Sequence, residues 1–155
     1  MKPYRPQKLF TIEEANATLP LVQAITRDLV SLSQDVIERR ARLASLNSTL
    51  GNKDGEDPYS DEVSQIETDL EADTQRLREY VEELRQIGVE PKSGPDGLID
   101  FPCEMDGRIV YLCWQLGESE VRHWHELDAG YAGRQPFEVV GISGLDEGMD
   151  GEDVV

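Results

Sequence analysis

Two stretches of the chain set apolar residues in alternating steps of three and four. The first runs through Val22, Ile25, Leu29, Leu32, Val36, Leu43, Leu46 and Leu50, with Arg39 in its one missing slot. The second runs through Val63, Ile66, Leu70, Leu77, Tyr80, Leu84 and Ile87, and here Asp73 fills the missing slot. Such spacing puts each series on one face of a helix. Between them lies the polar, turn-rich linker Gly51-Asn52-Lys53-Asp54-Gly55-Glu56-Asp57-Pro58, and Ser60 can cap the second helix. A linker this short makes the helices antiparallel neighbours with their seams in contact. Matching the ends pairs Val22 with Ile87, Leu32 with Leu77 and Leu46 with Val63. Arg39 then falls beside Leu70, and Asp73 beside Val36, in adjacent layers. That register predicts an Arg39–Asp73 ion pair across the seam, acting more as a register device than as a source of stability. The hairpin should extend about 40 Å, at 1.5 Å per residue, and end at Gly88.

Upstream, Lys2, Arg5 and Lys8 form a short basic arm that Pro3 and Pro6 keep from being helical. Thr11 and Glu14 stand three residues apart before an apolar run, the spacing of a capping box, so a helix should begin there. Pro20 lacks an N–H and crowds the preceding turn. The expectation is therefore a short helix over 12–18 and a long one from Pro20.

Past Gly88 the period changes. Residues 91–97 read as a loop. Leu98 to Glu104 and Arg108 to Leu116 read as a β-hairpin around the Asp106-Gly107 turn. Gly117-Glu118-Ser119 is a further turn, Glu120 to Glu126 a third strand, and Phe137 to Ile142 a last short one. The predicted class is α+β: a long antiparallel, coiled-coil-like helical hairpin over 11–88 and a small antiparallel β-meander over 98–142. Together they are expected to form a single domain over 1–143. Residues 144–155, with five acids and no base, are expected to be a disordered tail.

Charge and composition narrow the function classes. Acidic residues outnumber basic ones 32 to 15, and the net charge is −17. Such a chain repels phosphate backbones and anionic lipid, which argues against nucleic acid or membrane partners. No apolar run approaches the length of a membrane span, and the first ten residues lack the apolar segment of an export signal. With two cysteines only, a disulfide framework is excluded and a reducing cytoplasm is the expected setting.

The candidate chemistry lies in the β-region. A two-residue turn at 106–107 sets Asp100 opposite Cys113 and Cys103 opposite Val110. A three-residue turn at 117–119 sets Cys113 opposite His123. Asp100, Cys113, His123 and His125 would then share one sheet face as zinc or iron ligands. A one-residue slip in the second turn would move both histidines to the other face. The plainer reading has both histidines simply packed and hydrogen-bonded. Cys113 lies in an apolar strand, where a thiol resists ionisation, so it makes a poor nucleophile; no residue is assigned a catalytic role. A second candidate is the loop Gly130-Tyr131-Ala132-Gly133-Arg134. Gly130 and Gly133 let the backbone approach a ligand, Arg134 offers a forked donor to a carboxylate or phosphate, and Trp124 is a neighbouring aromatic. The alternative is a tight connection whose arginine pairs with an acid.

Several stretches carry a family likeness. They are Phe10-Thr11-Ile12-Glu13-Glu14-Ala15-Asn16 with Leu19-Pro20, then Asp100-Phe101-Pro102, Tyr111-Leu112-Cys113-Trp114, Gly117-Glu118, Trp124-His125 and Gly130-Tyr131-Ala132-Gly133-Arg134. With these the chain resembles the bacterial domain of unknown function 2203 family over roughly residues 10–137. The resemblance implies a small cytoplasmic bacterial protein. It supplies no established reaction and no catalytic residues. The leading functional expectation is thus a non-enzymatic protein-interaction or assembly module, with a protein partner or a second copy of the chain. A homodimer is suggested because Ile109 to Trp114 is apolar on both faces and needs two covers. The rival expectation is a metal- or small-ligand-binding protein, an enzyme included, using the His/Cys/Asp face.

Overall fold

The structure, a computed structural model, describes residues 6–50 and 58–137. The linker from Gly51 to Asp57, the acidic C-terminal stretch and the strand expected beyond Phe137 lie outside the described residues. Helix α1 spans Ile12–Leu50 and helix α2 spans Pro58–Ile87. Five strands follow: β1 (Glu90–Ser93), β2 (Leu98–Met105), β3 (Arg108–Gln115), β4 (His123–Glu126) and β5 (Gln135–Pro136), with a short 3₁₀ turn at Tyr131–Gly133 before the last. The strands pair antiparallel in chain order, β1-β2-β3-β4-β5, so the sheet is a meander. The class is α+β.

The start of α1 is the capping box expected from the sequence. The Glu14 N–H donates to Thr11 Oγ1 at 3.0 Å, and the Thr11 N–H donates to Glu14 Oε1 at 2.9 Å. The expected break at Pro20 does not occur: Pro20 lies inside one continuous helix. Ala15 and Leu19 before it and Val22 and Leu29 after it are buried in the same core. Holding all four against the sheet outweighs the roughly 3 kcal/mol that an interior proline costs a helix. At the other end of the hairpin, the N–H groups of Gly88 and Val89 both donate to the Leu84 carbonyl, and Gly88 takes φ 110°. This is the left-handed cap that ends α2 where the sequence predicts.

The ion pair between Arg39 and Asp73 is present across the hairpin. Arg42 adds a bidentate contact to Glu62 further out. Solvent-accessible pairs of this kind add little to stability, so their role is in fixing how the helices line up.

The core lies between the base of the hairpin and one face of the sheet. Val22, Leu29 and Leu84 from the helices meet Ile99, Phe101, Val110, Leu112 and Trp114 from β2 and β3. The basic arm contributes Phe10, whose N–H donates to the Pro102 carbonyl at 2.7 Å and whose ring packs edge-on to Phe101 at 5.3 Å. Val36, Leu46 and Ile66 are buried too, but outside this cluster. The outer hairpin is therefore held by its own seam.

Three details of the sheet depart from expectation. Residues 91–93, read as part of a loop, join Glu90 in edge strand β1, because their backbone completes the β2 edge. The third strand begins at His123 rather than Glu120. There Asn16 of α1 captures the chain instead: its Oδ1 accepts the Val121 N–H at 2.7 Å and its Nδ2 donates to the Val121 carbonyl at 3.3 Å. The last described strand, Gln135–Pro136, falls where no strand was expected; the one expected from Phe137 onward runs beyond the described residues.

Candidate metal centre

The register that builds the site is the expected one, although the connection between β3 and β4 runs over 116–122 rather than a three-residue turn. Asp106 and Gly107 take φ of 53° and 79°, a two-residue turn that sets Asp100 opposite Cys113. Strand β4 then pairs Cys113 with His123 and Tyr111 with His125. On the sheet face turned away from the hairpin, Asp100, Cys113 and His125 converge. One ligand atom from each lies within 4.8 Å of the other two, and all three residues are buried.

Asp100 and His125 are the most tightly coupled pair. Each is 2% exposed, and His125 Nε2 lies 3.2 and 3.1 Å from the two Asp100 carboxylate oxygens. The other ring nitrogen, Nδ1, faces the Glu126 carbonyl at 2.7 Å. A carbonyl only accepts, so Nδ1 carries a proton and Nε2 is the nitrogen turned to the cluster. Burial pushes the Asp100 carboxyl above its usual range, opposed by the attraction and hydrogen bonding of His125. Burial also pushes the Cys113 thiol up to about 12, with the Asp100 charge adding to the rise. Cys103, free and buried like Cys113, sits opposite Val110 on the other sheet face, so the two thiols face apart.

The second cover of the apolar strand is the segment after β4. Leu127, Gly130 and Tyr131 close over the cluster with Lys92 and Leu98, leaving a cavity of ≈ 140 Å³ whose floor is Asp100, Cys113 and His125. Tyr131 is tied down by its hydroxyl, which donates to Gln115 Oε1 at 3.1 Å. Arg134 reaches the same face. It grips Glu118 through both terminal nitrogens, at 3.1 and 2.6 Å, and stands within hydrogen-bonding reach of the Cys113 sulfur. Burial disfavours the charged form of Glu118, but the Arg134 contact and the hydrogen bond from the Gln115 N–H together hold the carboxyl below its usual range.

The expected residues thus divide. Asp100, Cys113 and His125 come together. His123 shares their face by register but is not among the three that converge; it borders a larger cleft of ≈ 1060 Å³ against α1, lined also by Asn16, Pro20, Val121 and Phe137. Its buried Nδ1 has no hydrogen-bond partner among the described residues. In the glycine loop, Gly130 borders the small cavity at φ 70°. Gly133 serves a tight turn, where an added Cβ would stand 2.9 Å from that of Ala129. Arg134 pairs with an acid, the plainer of its two readings, and Trp124 packs on the core side of the sheet, apart from the cavity. Lys92 was missed. It is the extra residue of a bulge between Pro91 and Ser93, and its Nζ stands 4.5 Å from the Tyr111 ring centroid.

The family model for an uncharacterized conserved protein, DUF2203, matches residues 8–137, from the basic arm through the last strand. The chain belongs to the DUF2203 family. The match takes in both helices and all five strands, and every residue of the buried cluster lies inside it. Comparison of this DUF2203 chain with curated proteins and with solved structures found no match. No helix among the described residues is long and apolar enough to cross a membrane.

Proposed function

We propose that this DUF2203 protein binds a divalent transition-metal ion of the zinc class through Asp100 Oδ, Cys113 Sγ and His125 Nε2. One observation carries the reading: three ligand types from three adjacent strands put their donor atoms within 4.8 Å of one another at the floor of a cavity. Zinc bonds of about 2.0–2.3 Å to N, O and S need donor atoms somewhat closer together, so binding would draw the three side chains inward. His125 suits the role, because its Nδ1–H is held by a backbone carbonyl, the arrangement that orients a metal-binding imidazole through Nε2. A cation would also neutralise the Asp100 and Cys113 anions that burial otherwise disfavours. Elemental analysis of protein purified without chelator should find close to one zinc or iron per chain. Cys113→Ser and His125→Ala should lower that content at least about tenfold. Wild-type protein with no bound metal, which also takes up none when offered zinc, would overturn the proposal.

A second reading concerns the hairpin. Its outer half packs on nothing but itself among the described residues, and α1 leaves Ile37 51% exposed there. An arm of that kind serves protein contacts, and self-association is the form most directly tested. The chain carries −17, so two copies repel and added salt should favour pairing. Light scattering should report twice 17.4 kDa at moderate salt, and Ile37→Asp should return the monomer mass. A monomer at every salt concentration would count against pairing through the arm.

A further inference from the structure

The ion placed above has three protein ligands, and what stands on its open side is the 140 Å³ cavity. We propose that this cavity receives a small carboxylate-type oxyanion, one oxygen on the metal and the other on the Lys92 ammonium. The inference rests on the metal reading and goes beyond it by naming the class of the fourth ligand.

Size, charge and position support it. A cavity of ≈ 140 Å³ holds only a few heavy atoms, given that a water molecule occupies about 30 Å³ in the liquid. Formate, acetate and bicarbonate fit within that limit, whereas a nucleotide or a peptide does not. A divalent ion is balanced by the Asp100 carboxylate and the Cys113 thiolate, and Arg134 is balanced by its bidentate contact to Glu118. The Lys92 ammonium is the charge left over at the cavity wall, so the site as a whole calls for a monoanion. Lys92 is held at that wall by the backbone rather than by chance: it is the additional residue of the β1 bulge, and bulges re-aim side chains. The Tyr111 ring beneath its Nζ steadies the ammonium, and Tyr111 in turn lies 5.6 Å from the His125 ring. Leu98 and Leu127 supply the apolar part of the wall and limit how much water an anion can bring with it.

Cobalt(II) makes both layers of the argument visible. Full-length protein loaded with cobalt should show the near-ultraviolet charge-transfer band of a thiolate ligand, lost in Cys113→Ser. Formate added to about 10 mM should then shift the visible cobalt bands in a saturable way. Lys92→Ala should leave the charge-transfer band in place and raise the formate midpoint roughly five- to tenfold, with Lys92→Arg close to wild type. Absence of the charge-transfer band would overturn the metal site and this inference together. A normal band with no response to formate, a formate midpoint unchanged in Lys92→Ala, or an equal response to chloride would overturn the oxyanion inference alone.

Discussion

Asp100→Ala, measured by urea unfolding with chelator present, is expected to lower the stability of the protein by about 1–3 kcal/mol. The alanine removes the carboxylate that His125 Nε2 faces and leaves a buried polar ring nitrogen without its partner. The lost bond is a small part of the effect; the greater part is the desolvation of a group that stays behind. Replacing both members of the pair should therefore cost much less. Asp100→Leu with His125→Phe is expected to recover most of the loss, because an apolar pair of similar size leaves no orphaned group. The chelator matters because metal binding to the folded state would add its own linkage term. Repeating the measurement with zinc in excess should stabilise wild type and leave both variants unchanged. A loss under about 1 kcal/mol for the single variant would show that the pair is far more hydrated than its 2% exposure implies.

Trp114→Ala should have a larger effect, about 3–5 kcal/mol, for a different reason. The ring is fully buried among the core residues that join the hairpin to the sheet, so deleting it opens a cavity the surrounding side chains fill only in part. Trp114 also reaches across the layers. Its Nε1–H donates to the Glu118 carbonyl at 3.0 Å, and the Gln115 N–H donates to Glu118 Oε1 at 2.8 Å. Glu118 in turn holds Arg134 over Cys113. Trp114→Phe keeps most of the packing but removes the indole donor, and should cost about 1–2 kcal/mol. Urea midpoints give the losses. A Trp114→Ala midpoint within error of wild type would contradict the packing described for β3.

The success and failure of sequence reasoning here have identifiable causes. The seam ion pair was legible because two polar residues interrupted two otherwise regular heptads, and the linker length placed the gaps in neighbouring layers. Asp100 opposite Cys113 was legible because a two-residue turn sets antiparallel register by simple counting; Cys113 opposite His123 was reached by counting across a three-residue turn, and the structure keeps that register with a longer connection over 116–122. Pro20 misled because a local rule was overridden by burial on both sides of it. Asn16 carried no sequence signal for its grip on Val121, which joins positions 105 residues apart. Strand β1 was hidden for a related reason: Glu90-Pro91-Lys92-Ser93 has no strand-like pattern and is extended only because the β2 edge is there to pair with. Lys92 was lost with it.

The chain by itself determined its two helices, their antiparallel arrangement and the β2–β3 hairpin. Each follows from periodicity or turn length, which act between near neighbours. Tertiary structure alone decided that His125 joins Asp100 and Cys113 while His123 borders the cleft against α1, that Leu127, Gly130 and Tyr131 close over them, and that a bulged Lys92 stands at the cavity wall. Those outcomes depend on contacts between distant segments, whose free energies exist only once the sheet has formed.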